Sequence, residues 1–88
     1  MILLKIERYK KATSTLPIKI KKLLIKQEIL LIEDIFHPKL HTKKLKIPGI
    51  LVFSFRITSN YRGIFRLSGE HVMLIAIGHR KDIYKNLD

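Results

Sequence analysis

From Leu51 to Leu67 the chain alternates with a period of two, and this pattern restricts its fold more than any other feature. Leu51, Phe53, Phe55 and Ile57 share one parity, and Val52, Ser54, Arg56 and Thr58 share the other. A β-strand sends successive side chains to opposite faces, so the two sets belong to different sides of a sheet. Ser59-Asn60 marks a tight turn. Beyond it Tyr61, Gly63, Phe65 and Leu67 alternate with Arg62, Ile64 and Arg66, and Ser68-Gly69-Glu70 reads as a second hairpin turn. His71 to Ile77 is apolar on both parities, as expected of a strand with neighbours on each side and cover on both faces, and Gly78 ends it. If the aromatic parity is buried, Arg56, Arg62 and Arg66 emerge together on the opposite face.

The rest of the chain supplies what packs on that sheet. Ile2, Leu4 and Ile6 alternate with Leu3, Lys5 and Glu7, which predicts a short first strand. Arg8 to Thr15 is polar and suits a short helix, and Pro17 separates it from the next element. From Ile18 to about Ile35 there is neither glycine nor proline, and Ile20, Leu24, Leu31 and Ile35 recur at helical spacing. Leu23, Ile25, Ile29, Leu30 and Ile32 widen the apolar stripe beyond half the circumference, so this helix has more apolar surface than one contact needs. Phe36 to Gly49, with Pro38 and Pro48 among lysines and histidines, reads as a basic loop. The expected fold is α+β: an N-terminal strand, two helices, then an antiparallel three-stranded meander forming one sheet. At 88 residues this is one domain, 1–88.

Charge narrows the partners. Eighteen Lys and Arg against seven Asp and Glu give a formal net charge of +11, which favours polyanions: RNA, DNA, ribosomes or an acidic protein. Lysines dominate the first half, whereas Arg56, Arg62, Arg66 and Arg80 lie in the second. Guanidinium offers a planar donor fork matched to phosphate oxygens, so the site is expected in the second half. The chain has no cysteine, which removes thiolate chemistry and suits a reducing cytoplasm. Apolar runs such as Ile29–Ile32 and Val72–Ile77 are too short to cross a bilayer, and the first residues do not read as a signal peptide. His37 and His41 have i, i+4 spacing, but Pro38 interrupts a helix there and no third ligand is evident, so neither metal nor other cofactor is expected.

The order of elements and several local motifs resemble the RelE/ParE superfamily of toxins. The motifs are His37-Pro38-Lys39-Leu40 leading to Lys44-Leu45, Ser54-Phe55-Arg56 followed by Tyr61-Arg62-Gly63-Ile64-Phe65, and Ile77-Gly78-His79-Arg80-Lys81-Asp82-Ile83-Tyr84. The match spans nearly the whole chain, and order and spacing carry it, since each motif is short. The resemblance implies a RelE-like sheet of the microbial-ribonuclease type and the toxin role in a type II toxin–antitoxin system. It also implies cleavage of mRNA in the ribosomal A site. By the same resemblance Arg62, Arg80 and Tyr84 fall on functional positions, Arg56 stands where some relatives carry a basic residue or histidine, and His79 adjoins a position where others place a catalytic histidine. RelE has two lysines on the strand that here reads Phe53-Ser54-Phe55; Arg56, His41, Lys44 or Lys46 are available to substitute.

Metal-free RNA cleavage needs a base for the 2′-hydroxyl, cations for the charge growing on the phosphate, and an acid for the departing 5′-oxygen. Arg62 and Arg56 suit the cationic role, with Arg80 beside them or assisting as acid. A histidine such as His79 ordinarily titrates near neutrality and suits proton transfer. Tyr84 would stack on a base or exchange a proton. Lys44, Lys46, Arg66, Lys81 and His41 are candidates for binding the RNA backbone. Two other readings stay open: a ParE-like toxin acting on DNA gyrase, and a non-catalytic RNA- or ribosome-binding module. The resemblance implies an acidic antitoxin as partner. Assembly as a homodimer or as a toxin–antitoxin hetero-oligomer stays open, with no membrane association expected.

Overall fold

A computed structural model describes residues 1–84. Its elements are β1 (Ile2–Lys5), α1 (Glu7–Ser14), α2 (Ile18–Glu33), a 3-10 turn (Pro38–Leu40), β2 (Lys43–Lys44), β3 (Val52–Arg56), β4 (Tyr61–Ser68) and β5 (His71–His79). The alternating segments form the antiparallel β3–β4–β5 meander, with Phe53 opposite Phe65 and Phe55 opposite Gly63. The sheet is larger than that meander. It has five strands in the order β1-β5-β4-β3-β2, and it is mixed, because β1 runs parallel to β5. The expected three-stranded sheet is therefore corrected to a five-stranded one. Alternation marks β1 as a strand but is silent on its neighbour, and the two residues of β2 are too few for a period. The central position of β5 accounts for its apolar residues on both parities.

The helices cover one face. Leu24 and Leu31 of α2 and Tyr9 of α1 pack with Phe53, Phe55, Phe65, Val72, Leu74 and Ile77. Phe53 and Phe65 stack with centroids 5.3 Å apart. Phe55 lies over its cross-strand partner Gly63, where a Cβ would stand 2.3 Å from the ring. Only a glycine gives the ring that space.

The other face has a small core of its own. Val52, Ile64 and Ile83 are buried there, with Leu45, Ile47, Ile50, Ile75 and Ala76 packed around them. The segment read from its lysines as a basic loop thus turns Leu45 and Ile47 inward. A β-bulge helps: Ile64 pairs with Ala76 and Phe65 with Leu74, leaving Ile75 as an extra residue, so Ile75 and Ala76 both join this second core.

A buried polar tether joins the first three elements. Tyr9 donates its hydroxyl proton to Glu28 Oε2 at 2.8 Å, and Lys5 Nζ lies 3.0 Å from Glu28 Oε1. Burial, reinforced by the Glu28 charge and hydrogen bond, pushes the Tyr9 pKa well above its ordinary value. The native state therefore keeps this proton to higher pH than the unfolded chain, and unfolding releases it once the pH passes about 10. Stability should fall with rising pH above that point, and Tyr9→Phe should flatten the decline. Urea unfolding of both proteins between pH 8 and 11 checks this; parallel curves would show that Tyr9 does not cause it.

Candidate nucleic-acid interface

The site begins with a strand register. Arg56, the last residue of β3, stands directly opposite Arg62 of β4, and Arg62 is opposite Gly78 of β5. Direct partners project from the same face, so the two guanidinium groups leave the sheet side by side. Three features fix this end of the hairpin. Gln27 of α2 donates to the Arg56 carbonyl at 2.7 Å, and Thr58 Oγ1 accepts from the amides of Asn60 and Tyr61 at 3.2 and 3.1 Å. The Arg80 amide donates to the Asn60 carbonyl at 2.7 Å, which extends the β4–β5 register by one pair beyond Tyr61 and His79. Continued alternation puts Arg80 on the Arg62 side. Arg80 is two strands across from Arg56 and two residues further along, so the arginine row spans about 12 Å between backbones. At Gly78, directly opposite Arg62 on the next strand, a Cβ would meet nothing within 4 Å.

The electrostatics of this row are unfavourable in isolation. Like charges directly opposite one another on a sheet repel. Among the described residues no carboxylate forms an ion pair with Arg56, Arg62 or Arg66. Among the described residues Arg56 Nε also finds no hydrogen-bond acceptor although it is buried, a state that costs about 1–3 kcal/mol. An oxyanion seated on the row would supply the missing counter-charge.

Other sequence candidates take different places. Arg66 shares the parity of Arg62 but sits four residues along β4, about 13 Å away, beyond the fully buried Ile64. It shares the face of Arg56 and Arg62, as strand parity predicts, but stands apart from them along the strand. His79 pairs with Tyr61, opposite in parity to Arg62, and meets the Tyr61 ring edge-on at 5.8 Å. Its Nδ1 accepts the Lys81 amide at 3.2 Å, so it shapes the turn rather than joining the row. Lys44 is opposite Phe53, and Lys44 and Lys46 are exposed while the intervening Leu45 packs inward. His41 is exposed and ends the 3-10 turn with a left-handed backbone, φ 48°. Lys81 is exposed in the turn after β5. Tyr84 is 39% exposed and follows Ile83, which is anchored on Val52 and Ile64; this tethers Tyr84 to the arginine side of the sheet.

Two cations escaped sequence reasoning. Lys43 is opposite Ser54, which gives it the parity of Arg56; the inward Leu45 two residues later was the available signal. Arg8 of α1 lines a cleft with Ala76, Gly78, Asp82 and Ile83, a proximity that no local pattern encodes.

No family model and no curated protein matches the sequence. Solved structures do. A RelE–RelB complex from Pyrococcus horikoshii contains a chain that superimposes with a TM-score of 0.78 at 17% identity, over 90% of this chain and 93% of that one. The isolated E. coli RelE toxin gives a TM-score of 0.66 at 22% identity, over 89% and 82%. A chain of the RelB–RelE complex from Methanococcus jannaschii gives 0.66 at 24%, over 97% and 99%. The chain therefore has the fold of the RelE/ParE superfamily toxins.

Proposed function

We propose that this protein is the toxin of a toxin–antitoxin pair and cleaves mRNA on the ribosome without a metal ion. The observation that carries the reading is the Arg56–Arg62 pair: adjacent and, among the described residues, without a carboxylate partner. The fold it shares with RelE supports the same conclusion. In this mechanism Arg56 and Arg62 grip the non-bridging oxygens of the scissile phosphate, and their donors strengthen as negative charge builds in the transition state. The 2′-hydroxyl attacks the adjacent phosphorus and the P–O5′ bond breaks, leaving a 2′,3′-cyclic phosphate and a 5′-hydroxyl. Arg80 closes the row. Tyr84 and Lys43 are the groups of this face able to exchange protons, and they fill the base and acid roles. Lys44, Lys46, Lys81 and Arg66 draw the polyanion in from a distance. Its setting is the cytoplasm, where an acidic antitoxin keeps it silent.

Incubating the protein with translating ribosomes and mapping mRNA 5′ ends tests this. Cuts in register with codons, lost in Arg62→Ala, are expected. Intact mRNA with gyrase–DNA adducts would instead make it a gyrase poison, and ribosome binding without cuts would make it a non-catalytic module.

A further inference from the structure

Arg56, Arg62 and Gly78 are successive register partners, so they form one line across β3, β4 and β5. Beyond Gly78 the line meets no further strand, because β1 ends with Lys5 opposite Leu74 and α1 packs along β5 instead. Tyr9 sets the roll of that helix, being fully buried in the helical-side core and bonded to Glu28. Arg8, about 100° away around the helix, is left exposed at the sheet edge. It lines one cleft with Gly78, Asp82 and Ile83, and a second with Ile50, Val52 and Ala76. Ile50, Val52, Ala76 and Ile83 all belong to the core of the arginine face, which places the Arg8 side chain on that side. Among the described residues no carboxylate forms an ion pair with Arg8.

We propose that the cleft between Arg8 and Gly78 receives the nucleotide adjoining the scissile phosphate, with Arg8 gripping that nucleotide's own phosphate. The proposal rests on the reading of Arg56 and Arg62 as the grip on the first phosphate. From those two guanidinium groups the line of partners crosses Gly78 to reach Arg8, and above Gly78 even a Cβ would meet open space. A backbone strand of RNA can therefore pass from one cationic end to the other without a side chain between them. Asp82 selects a nucleotide over a simple anion. A carboxylate in the same cleft repels free phosphate, whereas the amino groups of a base are donors that it accepts. Asp82 has an interaction of its own, and a carboxylate offers about four lone-pair sites, enough for both. Ala76 and Ile83 supply an apolar wall for the sugar or base.

The probe is a 2′-O-methyl trinucleotide, which has no 2′-hydroxyl to attack its own phosphates. The full chain is titrated with it by NMR, and each of its two phosphates is replaced in turn by a neutral methylphosphonate. The Gly78 amide and Arg8 Nε–H resonances should move together. Arg8→Ala should weaken binding about 10-fold, the loss of one charge-assisted phosphate contact. That penalty should vanish when one phosphate is neutral, and the Arg62→Ala penalty when the other is. Arg8→Gln, matched to wild type in thermal melting, should behave as Arg8→Ala. Lys10→Ala, on the far side of the same helix, should bind as wild type. Absent binding by wild type, wild-type binding by both Arg8 variants, or an equal loss in Lys10→Ala overturns the proposal. So does the loss of both arginine penalties with the same phosphate. On ribosomes Arg8→Ala should raise the ribosome concentration for half-maximal cleavage and spare the saturated single-turnover rate, because its contact is equal in the ground and transition states. Absent cleavage with trinucleotide binding as expected removes the nuclease reading and leaves this site. Wild-type cleavage and binding by Arg8→Ala, with cleavage lost in Arg62→Ala, removes this site alone.

Discussion

Replacing Arg62 with alanine should slow mRNA cleavage on translating ribosomes by about 10²–10³-fold, the usual cost of removing one preorganised donor from a developing oxyanion. The same variant should melt no lower than wild type. In the free protein Arg62 faces Arg56 directly, and neither has a carboxylate partner among the described residues, so deleting one charge relieves repulsion. Lost activity with retained or raised stability would identify a residue kept for its ligand. Arg62→Lys should recover only part of the rate, since an ammonium keeps the charge without the two parallel donors. Arg66→Ala is the informative contrast: beyond Ile64 on the same strand, it should lower the salt dependence of RNA binding by about one ion while sparing the chemical step. Single-turnover rates and the salt slope separate the two. Cleavage by Arg62→Ala at the wild-type rate would remove the proposed centre.

The largest expected effect on stability comes from Gly63→Ala. Its methyl group would enter the Phe55 ring at 2.3 Å, and Phe55 is fully buried. Overpacking of this kind costs about 1–3 kcal/mol, and for a domain of this size each kcal/mol lowers Tm by about 4–8 °C. Small domains bury a modest share of their surface, so that loss is a large fraction of the whole margin. Phe55→Leu placed in the same chain should return part of it by vacating the contested volume. Thermal melts of the two single variants and the double variant measure the coupling. Additive losses would mean that the ring and the methyl group do not meet.

How far the sequence led can be seen residue by residue. Parity alone brought Arg56 and Arg62 to one face, because a hairpin with a short turn leaves little freedom in register. The same rule holds for Arg66, yet it gives the face and not the neighbourhood: Ile64 and the cover over it come from the Leu45–Ile50 segment and from Ile83. Those contacts are long-range, and the lysines between them masked the inward parity of Leu45 and Ile47. His79 shows the opposite case. Its chemistry made it attractive, while its pairing with Tyr61 sets it on the other side. The Glu28 tether was invisible because its partners, Tyr9 and Lys5, come from two other elements that only the tertiary fold brings together. The breadth of the α2 stripe, by contrast, was plain in the residues, and four exposed isoleucines are its surplus.

The parallel pairing of β1 with β5 also governs when the molecule can become whole. Ile2 finds His71 about 70 positions later, and closing so long a loop is slow compared with forming neighbouring hairpins. During synthesis the first strand must wait unpaired while the helices and two hairpin strands emerge. The segment that supplies Gly78 and Arg80 is also the one that completes the sheet, so a nascent chain short of β5 carries Arg56 and Arg62 without the strand that flanks Arg62. The arginine face is thus left incomplete by topology until the C-terminal strand is out.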